Sequence, residues 1–184
     1  MISVDFVKTS EVEEMLDILS ESAARLHAKG LDQWPVRFRV AKVMPDIENR
    51  YAYFVRGDEG LLATFILSPE PDRDFWTPVE ISQPSRYVSK LATRDGFSGV
   101  GAAILDWCEQ CSARSGAKWL RLDAWRTNSK LHDYYKAQGF EHLRTVAPPG
   151  RNSGALFQRA AHDRASDRMT RLGLASPTPE LCRC

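Results

Sequence analysis

The stretch of this chain best suited to chemistry is Leu91-Ala92-Thr93-Arg94-Asp95-Gly96-Phe97-Ser98-Gly99-Val100-Gly101-Ala102. A β-rich run passes through three glycines straight into an apolar-periodic helix. The unpaired amides at a helix N-terminus, aided by its dipole, form an anion site. Glycines at 96, 99 and 101 let backbone approach a phosphate with no side chain in the way. The same pattern also serves as a plain strand-to-helix turn. A P-loop would end in Gly-Lys-Ser/Thr, and Gly101-Ala102-Ala103 does not. A dinucleotide fingerprint would open the first βαβ unit, with an acidic residue about twenty positions on. Asp123 sits near that distance, but the loop lies in mid-chain with too little sequence after it for a second domain. A diphosphate-bearing ligand held by backbone is what remains.

After the next β-rich run come Asn128-Ser129-Lys130-Leu131-His132-Asp133-Tyr134-Tyr135-Lys136-Ala137-Gln138-Gly139-Phe140. Together with the glycine loop, this segment resembles the GNAT superfamily of acetyl-CoA-dependent N-acyltransferases. Their pattern is Arg/Gln-x-x-Gly-x-Gly/Ala, then a strand, an Asn, and a helix with Tyr ahead of Gly-Phe. The resemblance covers residues 2–159 in element order and about 86–146 in motif. The two segments together are far more specific than either alone.

The resemblance implies that acetyl-CoA is the cofactor. It implies that the backbone of Leu91, Ala92 and Thr93 pairs with the pantetheine arm, and that Ser98, Gly99, Val100, Gly101 and Ala102 hold the pyrophosphate. It further implies that Asn128 contacts the arm while Leu131 and Tyr134 line its wall. Tyr135, four residues before Gly139, takes the position of the general acid beside the thioester sulfur. One position departs from the pattern. Gly96 stands where the family has Arg or Gln, and Arg94 is the side chain that could substitute.

The implied reaction is attack of an amine on the acetyl thioester, so the amine loses a proton and the leaving thiolate needs one. A phenol, protonated at neutral pH with a pKa of about 10, suits the second task. Tyr135 could also be a packed helix aromatic, with Tyr134 the polar one. For the base, Asp123 reaches the site directly or through water, or else pairs with Arg121 or Arg126 on the strand. Glu80 is a further carboxylate, and His132 is expected to face solvent. A water chain with no dedicated base is also open. On the acceptor side, Asp32 could attract a cationic amine and Trp34 could stack on a ring, or pin the turn as a core residue. Arg73-Asp74-Phe75-Trp76 offers a second wall, with Trp76 its substrate-facing aromatic, or its aromatic pair packs down as core. A small-molecule amine is expected, because no peptide-reading motif is visible. The alternative is a GNAT-like CoA-binding sensor without turnover; Asn128 and Tyr135 together favour catalysis.

The elements that must position these groups follow from periodicity. Ile2, Val4 and Phe6 alternate as a strand. Val12, Met15, Leu16, Leu19, Ala23 and Leu26 recur at helical steps, and Gly30 stops that helix. A second helix is expected from Pro35 to about Asn49, broken near Pro45. Tyr51–Arg56 and Leu61–Leu67 form a hairpin about Gly57-Asp58-Glu59-Gly60, and Ser68 to Pro84 is a long loop, with a short element inside it as the alternative. Then come a strand (Arg86–Thr93), a helix (Gly101–Ser115), a strand (Lys118–Trp125), a helix from Asn128 or Ser129 to Gln138, and a final pair, Phe140–Val146 and Ala155–Arg159. The order β-α-α-β-β-β-α-β-α-β-β predicts an α/β (α+β) domain over 1–159. Its mixed, mostly antiparallel sheet has helices on both faces. Residues 160–184 are expected as a flexible polar tail, with a short helix around Asp163–Leu172 as the alternative.

Composition excludes other classes. Lys+Arg is 25 against Asp+Glu 24, which argues against a nucleic-acid partner. Apolar runs such as Leu61–Leu67 are far below the ~18–20 residues of a membrane span. Four cysteines do not make a disulfide scaffold, so a reducing, cytoplasmic setting is expected. Cys108-x-x-Cys111, with Cys182-x-Cys184, has the spacing of a zinc site, but buried core thiols explain the first pair more simply. Whether the chain is a monomer or a homodimer is not legible.

Overall fold

The computed structural model describes residues 2–183. Seven strands form one sheet in the order β1-β2-β3-β4-β5-β7-β6: β1 (Ser3–Phe6), β2 (Ala52–Gly57), β3 (Gly60–Ser68), β4 (Ser85–Thr93), β5 (Trp119–Trp125), β6 (Glu141–Thr145) and β7 (Ser153–Ala160). Every pairing is antiparallel except β4 with β5. The helices are α1 (Val12–Ala28), α2 (Met44–Glu48), α3 (Pro78–Ile81), α4 (Val100–Arg114), α5 (Ser129–Ala137) and α6 (Asp167–Leu172). This is the mixed, mostly antiparallel architecture with helices on both faces expected from the element order.

Strand alternation divides the core between the two faces. Tyr53, Val55, Phe65 and Leu67 point to α4, where Ala103, Ile104, Trp107 and Cys108 meet them. Tyr53 and Phe65 stack with ring centroids 5.0 Å apart, and Trp107 closes on both edge-on. The alternate residues Ala52, Phe54 and Ile66 face α1, whose Met15, Leu16, Ile18 and Leu19 are fully buried.

Three regions differ from the sequence expectation, and in a fourth the structure takes the alternative. Pro35 does not open a helix: residues 31–39 are irregular, followed by a 3₁₀ turn at Val40–Lys42 and by α2, with Pro45 in its first turn. The long loop before β4 holds the alternative short element, α3, started by a capping box in which the Thr77 hydroxyl accepts from the Glu80 amide. Beyond 160 the chain forms a short helix, α6, within the Asp163–Leu172 alternative, and packs down. Met169, Leu174 and Cys182 are buried against the α4 face, and Ile2 bridges Leu174. The polar composition of that segment hides a few apolar anchors spaced widely enough to escape a periodicity count. Last, Cys111 and Cys182 form a disulfide, where the cysteine count predicts free thiols. Cys108 is free and buried, and Cys184 lies outside the described residues. Bonded to Cys182, Cys111 is not available as half of a thiolate metal pair.

Two backbone irregularities shape the centre of the sheet. β4 and β5 pair only from Ser85↔Trp119 to Val88↔Leu122, yet both strands run on, to Thr93 and Trp125. The divergence begins where the β3–β4 register slips between Thr64↔Ala92 and Ile66↔Ser89, giving β4 one extra residue. Lys90 sits in this bulge with φ of 49°, a left-handed conformation that costs a non-glycine residue of order 1–3 kcal/mol. Its ammonium lies 3.7 Å from the Asp46 carboxylate of α2.

On β5, Trp119, Arg121, Asp123 and Trp125 share one face, and Arg121 there is fully buried. The loop around α3 covers it. Arg121 donates to the Glu80 carbonyl at 2.6 Å and to Gln83 Oε1 at 2.6 Å, and its guanidinium lies over the Trp76 ring. Replacing Arg121 by Leu strands both acceptors, so urea unfolding of Arg121→Leu is expected to show a loss of about 2–4 kcal/mol.

Candidate active site

A cleft of about 620 Å³ opens where β4 and β5 part. Leu91 of β4, Asp123 and Trp125 of β5, and Leu131 and Tyr135 of α5 line it. Trp34, Trp76 and Tyr87 complete an aromatic wall. Beyond Val88, β4 keeps a partner strand on its β3 side alone.

The glycine loop ends at the N-terminus of α4. Gly99 is the N-cap, left-handed at φ 84°, and no side chain caps the helix. Its first-turn amides are therefore left without the side-chain partner that most helix starts supply. Gly101 sits close to α5: a Cβ there would lie 3.2 Å from the Tyr134 hydroxyl, which would have to give by a few tenths of an ångström. Ser98 is exposed, Val100 is buried in the core and Ala102 is half-buried. Arg94 turns away from the loop to Glu21 on α1, 3.5 Å distant, and so does not replace the cation missing at Gly96. Arg25 of α1 instead donates to the Thr93 carbonyl and lines the cleft.

The remaining expected residues divide. Leu131 and Tyr135 line the cleft, whereas Tyr134 is directed to the start of α4. Ala92 is buried on the α1 face. Asn128 does not line the cleft. It caps α5, its Oδ1 accepting from the Leu131 amide at 3.1 Å, and its Nδ2 donates to Gln33 Oε1 at 2.8 Å. Asp32 is fully exposed, with only the His27 ring nearby at 3.9 Å, and is no part of the cleft wall. Its position one residue before Gln33 aims it outward. Trp34 lines the cleft, packed edge-on against Phe38. Trp76 does too, but as a buried wall residue against Tyr87.

The candidate bases also separate. Glu80 is committed to Arg144, which donates to it at 2.5 and 2.8 Å and holds its carboxyl down to about 2. His132 is half-buried, its ring against Phe157 and its Nε2 on the Trp125 carbonyl at 2.8 Å, not turned to solvent. Asp123 pairs with neither Arg121 nor Arg126. Burial pushes its carboxyl above the usual range, and a hydrogen bond from Ser153 opposes the shift. Asp72 pushes it further up, while Arg151 lowers it. Burial likewise raises the Tyr135 phenol, helped by Tyr134 and Asp123, so it stays protonated at neutral pH.

Gln33, Asp72, Arg151 and Ser153 carry no sequence motif. Ser153 stands opposite Trp125 because β7 bulges at Gly154, where a Cβ would lie 2.2 Å from the Val146 carbonyl. Arg151 closes the β6–β7 loop onto the loop before β4 through Asp72 and Asp74. No local pattern announces either contact.

No sequence profile of a known protein family matches the chain. It is similar to an uncharacterized N-acetyltransferase, YesJ, of Bacillus subtilis, 27% identical over 141 residues, which span 72% of this chain and 78% of that one. Its fold is that of solved GNAT acetyltransferases. One from Listeria monocytogenes superposes with a TM-score of 0.71 at 20% identity, over 85% of this chain and 93% of its own. One from Streptococcus agalactiae gives 0.68 at 16%, over 88% and 96%. The PaiA N-acetyltransferase of Thermoplasma acidophilum, solved with coenzyme A, gives 0.64 at 15%, over 87% and 99%. No helix among the described residues is long and apolar enough to cross a membrane.

The Glu80–Arg144 contact has a pH signature. A carboxyl whose folded pKa is depressed adds stability above its unfolded value, here 4.5, and loses it as pH falls through about 2. The stability advantage of the unsubstituted protein over Glu80→Gln is therefore expected to shrink as pH falls from about 5 to about 2 in denaturant unfolding.

Proposed function

We propose that this chain, a GNAT-type N-acetyltransferase in its fold and its relatives, transfers the acetyl group of acetyl-CoA to a small-molecule amine in the cleft between β4 and β5. The observation that carries this reading is that a half-buried phenol, Tyr135, and a half-buried carboxyl, Asp123, line one cleft beside the strand that runs into the glycine loop.

The residues fit such a ligand. The uncapped α4 terminus from Ser98 to Ala102 supplies amides for a pyrophosphate. The β4 edge from Leu91 to Thr93 can pair with the amides of a pantetheine arm, as a sheet edge pairs with an added strand. Leu131 gives that arm an apolar wall. When bound, acetyl-CoA supplies an activated thioester. Asp123 takes the proton that the attacking amine loses, and Tyr135 gives its hydroxyl proton to the departing sulfur. The raised Asp123 carboxyl is a better base than an exposed one, because its conjugate acid is weaker. A small acceptor is supported by the aromatic wall and by a volume within the ~300–1,000 Å³ of small-ligand sites.

Release of free thiol from acetyl-CoA, followed across a panel of amines, tests the activity. Binding of CoA with turnover on no amine would favour a sensor. Tyr135→Phe is expected to lower kcat by about 10²-fold or more with CoA affinity retained; kcat near that of the unsubstituted enzyme would overturn its role. Ser153→Ala removes the hydrogen bond that opposes the upward shift at Asp123. The acid limb of kcat/KM should then move to higher pH, and an unmoved limb would count against Asp123 as the base.

A further inference from the structure

Gln33 lies in the loop between α1 and α2, 92% buried, and lines the cleft. Its amide orientation is fixed by a chain of hydrogen bonds. Only an oxygen can accept from the Leu131 amide, so Asn128 turns Oδ1 to α5 and is left to donate through Nδ2. Only an oxygen can accept from Nδ2, so Gln33 turns Oε1 to Asn128. Two N–H donors on Gln33 Nε2 remain, and no group among the described residues accepts them. The next residue, Trp34, is held left-handed at φ 77°, with its carbonyl bonded to the His27 ring at 3.0 Å, which fixes the loop that presents Gln33.

We infer that Gln33 is a ligand-binding group whose Nε2 donates a hydrogen bond to a carbonyl or carboxylate oxygen of the molecule in the cleft. The glutamine as a whole is buried and its Nε2 opens onto the cleft, so a ligand oxygen there takes the place of water as the acceptor. Asn128, already committed at both ends, acts through Gln33 as a positioning residue. The inference rests on the acetyl-transfer reading of the cleft. The oxygen has two sources, the acyl-pantetheine part of acetyl-CoA or the acceptor.

Two substitutions isolate the donor from the strut. Gln33→Glu keeps an oxygen for Asn128 and removes the N–H groups. Asn128→Asp remains a good N-cap but presents an oxygen to Gln33, so the glutamine amide must reverse and turn Oε1 to the cleft. Calorimetric titration with CoA and acetyl-CoA, and KM for whichever panel amine turns over, are measured for both. Each variant is expected to lose roughly 3- to 10-fold in one quantity. A loss in acetyl-CoA affinity assigns the oxygen to the cofactor. A raised amine KM with acetyl-CoA affinity intact assigns it to the acceptor. Unchanged affinity and KM in both variants, or in whichever folds, would overturn the inference and leave Gln33 a strut for α5. Failure of the unsubstituted protein to bind CoA would instead overturn the acetyl-transfer reading, and this inference with it.

Discussion

The extra residue at Lys90 is the constraint on which the rest of the molecule depends. By bulging there, β4 keeps its bonds to β3 while leaving β5, and the only parallel pair in the described sheet comes apart after four residue pairs. An opened sheet exposes backbone donors and acceptors that a continuous one would pair. Those groups, and the wedge of space beside them, are what an extended amide-bearing ligand can use. The strain of a left-handed lysine is offset by its position beside Asp46, on the helix that covers this side of the sheet.

Holding the wedge open is the work of guanidinium groups. Arg121 fastens the loop around α3 to the middle of β5, Arg144 fastens the same loop to β6 through Glu80, and Arg151 ties it to the β6–β7 turn. Each uses several donors of a planar fork on fixed oxygens, which a single ammonium point charge cannot do. The walls are thereby set by directional bonds rather than by apolar packing alone. The near equality of acidic and basic residues gains a meaning from this, because many of the charges are consumed in internal pairs.

The C-terminal segment belongs to the same economy of support. It lies on α4, the helix whose first turn carries Gly99 and Gly101, and it is joined to that helix by Met169 and by the Cys111–Cys182 bond. Tyr53, at the centre of the aromatic stack, also donates its hydroxyl to the Leu181 carbonyl. Residues that look like a polar appendix thus cover one flank of the core.

What the sequence determined by itself was local: which runs form strands and helices, that Asn128 or Ser129 opens α5, that glycines sit where strand becomes helix, and that Tyr135 lies one turn before the end of α5. Periodicity, caps and turn residues act over a few positions, so one sequence suffices to read them. The cleft was decided elsewhere. The bulge at Lys90, the burial of Arg121, the capture of Glu80 by Arg144, the outward turn of Asp32 and the reach of Gln33 to Asn128 all depend on sheet register and on loops meeting across it. Those encounters join residues tens of positions apart. The same side chain, a carboxylate or an arginine, becomes a base, a strut or a surface charge according to what the tertiary structure sets against it.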